Sequence, residues 1–151
     1  MDLDRRNPDL PAEAAAGVHP VSYTHLDVYK RQPKNGLLYV TTELNRSVSI
    51  IDPATLKIIG SIPTNQDQSH MLVISRDGHR GYTTNVGPGT VSVLDLDARK
   101  TIAVIPVSGQ IQRIALSVDG RKVFTSDQTK PQLAVIDTAT NKVTQLSLIH
   151  I

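Results

Sequence analysis

The chain has no cysteine and no tryptophan, and its aromatic side chains amount to four tyrosines and one phenylalanine in 151 residues. Without cysteine there is neither a disulfide framework nor a thiolate metal site. No apolar run is long enough to cross a membrane as a helix. An excess of one charge is lacking too: 16 Lys and Arg against 14 Asp and Glu leave a net +2. No basic stripe of the kind nucleic-acid binding needs is formed. Catalytic signatures are also missing, with no Gly-x-Ser-x-Gly, no His-Glu-x-x-His and no calcium-loop pattern. Gly87-Pro88-Gly89 is followed by no helical pattern and so matches no phosphate-cradling loop. The expectation is a module with no catalytic or metal-binding residues, no nucleic-acid partner and no membrane span.

What is present is repetition. Tyr39, Tyr82 and Phe124 are spaced by 43 and 42 residues, and Asp52, Asp95 and Asp137 repeat the same spacing. Ser75-Arg76-Asp77-Gly78 returns as Ser117-Val118-Asp119-Gly120. Within each unit the apolar period is that of strands: Val48 and Ile50, like Val91 and Val93, flank Ser49 and Ser92. In the second unit, strands are expected at Met71–Ser75, Gly81–Asn85, Val91–Asp95 and Lys100–Pro106. The Asp-Gly pairs suit the positive φ of a hairpin turn. Pro63 and Pro106 close the fourth strand, where a missing N–H is tolerated on an outer edge. Four strands every forty or so residues is the arithmetic of a β-propeller blade, so the fold class is all-β.

The segments Tyr39-Val40-Thr41-Thr42, Thr90 to Asp95, Asp137 to Val143 and Ser117 to Gly120 resemble the YVTN family of β-propeller repeats. Thr42 stands where that family has Asn, and Arg76 and Val118 where Pro is usual. The resemblance covers nearly all of residues 33–145. It implies a propeller fragment of just under three four-stranded antiparallel blades, exported to the periplasm or cell surface as in many members.

The flanks read differently. Asp27 to Gln32 (DVYKRQ) is encoded by GAT GTG TAT AAG AGA CAG, whose reverse complement encodes Leu146 to Ile151 (LSLIHI) and, in a shifted frame, Val21 to Leu26 (VSYTHL). This DNA resembles a transposon-end sequencing adapter. Residues 21–32 and 146–151 are therefore expected to be adapter-derived, residues 1–20 an unrelated disordered insert, and neither end a natural terminus. The alternation of Leu146 and Leu148 with Ser147 leads us to expect the adapter to extend the last strand, reporting β-propensity and not function.

Loops after the second and fourth strands share one face: Glu43–Arg46, Pro63–Ser69, Val86–Gly89, Pro106–Gln110 and Asp127–Pro131. They vary most between units, as a binding surface would, and as drift would. His70 opens the innermost strand of the second unit, where the ring meets its central channel, and Gln112 takes the same place one unit later. These two are the ligand-binding candidates, facing an unidentified small molecule or protein partner at the loop face or channel. Imidazole can ligate or transfer a proton near neutral pH, although His70 could equally line a wet channel or bond a neighbouring blade. Asp52, Asp95 and Asp137 recur in every unit and read as turn caps. Three functions stay open: a binding or scaffold module, part of a lactone-hydrolysing propeller, or part of a redox propeller associated with a haem or quinone. The cofactor is not identifiable from the sequence.

Overall fold

The alternation of β-branched residues with Ser and Thr makes every periodic segment a strand, and the computed structural model, which describes residues 35–148, contains eleven of them. Residues 1–20, the linker 21–32 and the tail beyond residue 148 lie outside the described residues. The first sheet is β1 (Leu38–Thr42), β2 (Ser47–Asp52) and β3 (Lys57–Pro63). The second is β4 (Ser69–Ile74), β5 (Arg80–Asn85), β6 (Thr90–Asp95) and β7 (Lys100–Pro106). The third is β8 (Ile111–Leu116), β9 (Lys122–Asp127), β10 (Gln132–Asp137) and β11 (Lys142–Leu148). Each is an antiparallel meander, and no helix occurs among the described residues. Three propeller blades result, the first with three strands.

Turn chemistry repeats with the units. Asp77 Oδ1 accepts from Ser75 Oγ at 2.5 Å and from the His79 amide at 3.0 Å, and Gly78 takes φ +82°. Asp119, Ser117, Arg121 and Gly120 reproduce this arrangement, with Gly120 at φ +73°. A third copy escaped the sequence comparison: Asn35 Oδ1 accepts from the Leu37 amide at 3.1 Å beside Gly36 at φ +72°. Ser75 is consumed in its turn, also accepting from the Arg80 amide at 2.9 Å. That is why β4 ends at Ile74 and not at Ser75. Its start lies two residues earlier than expected, because a bulge between Ser69 and Leu72 lets the strand pair from Ser69 onward. His70 thus sits within β4.

Asp52, Asp95 and Asp137 cap turns as expected, accepting from the amides of Ala54 (2.9 Å), Ala98 (2.8 Å) and Thr140 (2.8 Å). At Asp52, backbone and Thr55 hydroxyl bonds hold the carboxyl below its ordinary range; at Asp137 the Thr140 amide and hydroxyl do so.

The core lies between blades. Tyr39, Val48, Ile50 and Ile62 of the first blade meet Leu72, Ile74, Leu94 and Leu96 of the second. The second blade's opposite face, Val73, Tyr82, Val91, Val93 and Ile105, meets Ile111, Val123 and Ile136 of the third. Covered on both faces, β4 is buried at all six positions, whereas β8, covered on one, alternates. Leu146 and Leu148 extend β11 as expected, yet both remain exposed. They pair through the backbone and bury little.

Candidate functional site

The innermost strands β4 and β8 carry the two candidates side by side. Their backbone positions are fixed by one device used twice: Thr41 Oγ1 donates to the His70 carbonyl at 2.5 Å, and Thr84 Oγ1 to the Gln112 carbonyl at 2.9 Å. Thr41 lies on β1 and Thr84 on β5, the same repeat position in successive blades, so each blade locks the innermost strand of the next in register.

The side chains converge. His70 Nε2 lies 3.4 Å from Glu43 Oε1 and 3.5 Å from Gln112 Nε2, with His70 only 8% exposed. Three elements from three consecutive blades supply the trio: the β1–β2 loop, β4 and β8. Around them is a cavity of about 180 Å³ lined by Glu43, Gln68, His70, Val86, Gln112 and Gln128. At about 30 Å³ per water, it holds a few waters or one small polar ligand.

The two contacts ask opposite things of the imidazole. A carboxylate at Glu43 accepts a proton carried on Nε2, whereas the Gln112 amide nitrogen donates to an unprotonated Nε2. Protonation of Nε2 therefore favours Glu43, and deprotonation favours Gln112. The arrangement offers an imidazole, a carboxylate and amides to hydrogen-bond a ligand.

The sequence named His70 and Gln112 individually and placed Glu43, Gln68, Val86 and Gln128 only within the variable loops of the candidate binding face. Glu43, Val86 and Gln128 are spaced by 43 and 42 and occupy one repeat position, the first residue after β1, β5 and β9. That arithmetic was the available signal. His79 is elsewhere, in an exposed turn, with Nδ1 2.6 Å from Asp97 Oδ2. The hydrogen bond to Asp97 and its charge raise the His79 pKa above 6.5. The turn face has larger hollows, about 360 and 400 Å³, lined by Ser75, Asp77 and Gly120 among others. Their Ser and Asp oxygens already serve the turns. No group of three or more His, Cys, Asp or Glu able to hold a metal occurs among the described residues.

Three meandering antiparallel sheets packed face to face, with β4 and β8 as the innermost strands of the second and third, define a β-propeller segment. Residues 32–148 match the family model described as the cytochrome D1 heme domain, and the chain belongs to that family. Among solved structures, hydrazine synthase from Kuenenia stuttgartiensis is similar at 22% identity and a TM-score of 0.70, over 83% of this chain and 38% of that one. The dihydro-heme d1 dehydrogenase NirN, in complex with DHE, is similar at 19% identity and a TM-score of 0.66, over 83% of this chain and 28% of that one. These likenesses concern the fold, and the chain spans well under half of either neighbour. No curated protein sequence matches.

Proposed function

We propose that this chain is part of a haem-associated redox propeller, with His70, Glu43 and Gln112 forming the polar edge of the cofactor or ligand site at the channel mouth. The observation that carries the reading is the cytochrome D1 heme domain match over residues 32–148, which spans all of the described strands. It favours the redox alternative over a plain binding scaffold and over a lactone hydrolase. The YVTN-like signature is read as the way this member writes its blades.

The residues present fit such a group in one respect and limit it in another. A buried imidazole beside a carboxylate and two or more amides suits hydrogen bonding to a small ligand next to a haem. A cavity of about 180 Å³ is too small for the macrocycle itself, whose bed other parts of a ring would supply. Bound haem would contribute one-electron chemistry. His70 would hold or pass a proton at Nε2, with Glu43 accepting from Nε2–H and Gln112 donating to a bare Nε2. Thr41 and Thr84 keep the trio in place. An exported location and a small-molecule partner are part of this proposal; no helix among the described residues is long and apolar enough to cross a membrane.

Titration of a closed propeller ring that contains this segment with ferric haem, followed at the Soret band, tests the reading. Saturable binding weakened several-fold by His70→Ala and by Gln112→Ala, with unchanged circular dichroism, is expected. Non-saturable binding, or binding indifferent to both substitutions, would count against it.

A further inference from the structure

Charge is distributed unevenly around the cavity beside His70. Among its lining residues, Glu43 is the one carboxylate, three are glutamines, and none is Lys or Arg. The cationic side chains on the adjoining stretches of chain are turned to other places. Arg46, in the loop that carries Glu43, pairs with Asp67 at 2.6 Å, and Arg113, next to Gln112, lies with Nη1 4.0 Å from Met71 Sδ. Lys130, in the loop that carries Gln128, is exposed. The repeat makes the charge specific to one blade: the first residue after β1, β5 and β9 is Glu43, Val86 and Gln128 in turn.

Both protonation states of His70 Nε2 disfavour an anion in this cavity. When Nε2 carries a proton, that N–H has Glu43 Oε1 as its acceptor 3.4 Å away, so the carboxylate has already matched it. When Nε2 is bare, its lone pair, which Gln112 Nε2 approaches to 3.5 Å, and the carboxylate oxygen are two acceptors 3.4 Å apart. A cationic N–H donor between them satisfies both, whereas an anion adds a second negative charge beside Glu43. The glutamine side chains offer carbonyl oxygens as further acceptors. A bare metal ion is a poorer match, because hard cations call for about six or more oxygen ligands. Here there is one carboxylate, and no set of three His, Cys, Asp or Glu able to hold a metal occurs among the described residues. The volume, about 180 Å³, admits an ammonium group with a few carbon atoms, and buried Val86 supplies an apolar wall for them.

We propose that this cavity binds a small primary alkylammonium cation. Its N–H groups donate to Glu43, to a bare His70 Nε2 and to glutamine carbonyls, and its carbon end rests against Val86. That the cavity is a ligand site is taken from the function proposed above, whereas its selectivity for a cation needs no haem.

The closed propeller ring that contains this segment, free of haem, provides the test. It is titrated near neutral pH with methylammonium chloride, potassium chloride and sodium formate at one ionic strength, following the His70 ring resonances by NMR, assigned through His70→Gln. Methylammonium keeps its proton there, as a lysine amine does. A saturable shift with methylammonium alone is expected. Affinity should fall about tenfold or more in Glu43→Gln, which loses a charge-assisted hydrogen bond. This substitution keeps the side-chain shape at a half-buried loop position, and unchanged circular dichroism verifies the fold. Asp97→Asn, which removes a negative charge from an exposed turn outside the cavity, should bind like the wild type. Formate binding as tightly as methylammonium, potassium matching it, or no saturable shift with any of the three would each overturn the proposal, as would a Glu43→Gln ring that binds like the wild type. A ring that takes up haem but no methylammonium overturns this proposal alone, and one that takes up methylammonium but no haem overturns only the haem reading.

Discussion

Asn85 is the side chain whose removal should cost this fold most per atom deleted. It is completely buried at the end of β5. Its Oδ1 accepts from Ser69 Oγ at 2.8 Å, and its Nδ2 donates to Thr90 Oγ1 and Ser92 Oγ, both at 2.9 Å. Thr64 Oγ1 lies 2.7 Å from both Ser69 Oγ and the Arg46 carbonyl and donates its one proton to either, so the network crosses from the first blade to the second. In Asn85→Ala three hydrogen bonds disappear, each worth about 1 kcal/mol net, and the buried Ser92 hydroxyl loses its Asn85 partner at a further cost of about 1–3 kcal/mol. Ser69 keeps Thr64 and relaxes more cheaply. The expected loss is about 4–6 kcal/mol, a large share of the roughly 5–15 kcal/mol that holds an ordinary domain folded. Equilibrium unfolding in urea should show the midpoint fall with the slope unchanged. Leu44→Ala, at a 99% exposed loop position, should stay within about 0.5 kcal/mol of wild type. Asn85→Thr places at this position the residue that the first blade has at Thr42, restores part of the hydroxyl network and should lie between the two. The reasoning is refuted if Asn85→Ala loses less than about 1 kcal/mol. It also fails if Asn85→Ala and Ser92→Ala combine additively, since residues sharing one buried network must couple.

His79 should titrate above 6.5 in a proton NMR experiment and fall back toward 6.5 in Asp97→Asn. Its folded pKa is raised, so the small stabilisation from the Asp97 pair is fully present below 6.5 and lost as pH rises through the folded value; a titration at or below 6.5 in the wild type would contradict this. Two glycine substitutions should separate backbone strain from collision. Gly120→Ala, at φ +73° with open space around it, should cost about 1–2 kcal/mol from the left-handed conformation alone. Gly109→Ala, at φ +56°, drives its Cβ into the Asp127 carboxylate, which holds Thr129 through the amide at 2.7 Å and the hydroxyl at 2.6 Å. It should lose more than Gly120→Ala in the same unfolding assay, and equal losses would show that Asp127 moves aside freely.

The blade count and the turn caps were legible because they rest on local rules repeated three times. Asp-Gly turns, Asp caps and alternating β-branched residues each decide their own few residues, and agreement among copies removed the ambiguity of any one. The start of β4 was not legible, since the bulge after Ser69 arises from pairing with β5 and leaves no mark on residues 69–71 themselves. The candidate site was half legible, for a related reason. His70 stood out by its chemistry, whereas Glu43, Val86 and Gln128 share a position and not a residue type, so the sequence showed them only as members of variable loops. In a repeat scaffold, the hydrogen bonds from Thr41 and Thr84 fix the backbone of each blade to the next whatever side chains face the channel. Fixed backbone with free side chains is what lets one ring of nearly identical units present a non-repeating set of groups to its axis. The positions to inspect in such a protein are therefore those that hold the same place in every unit and differ in chemistry, and here they surround His70.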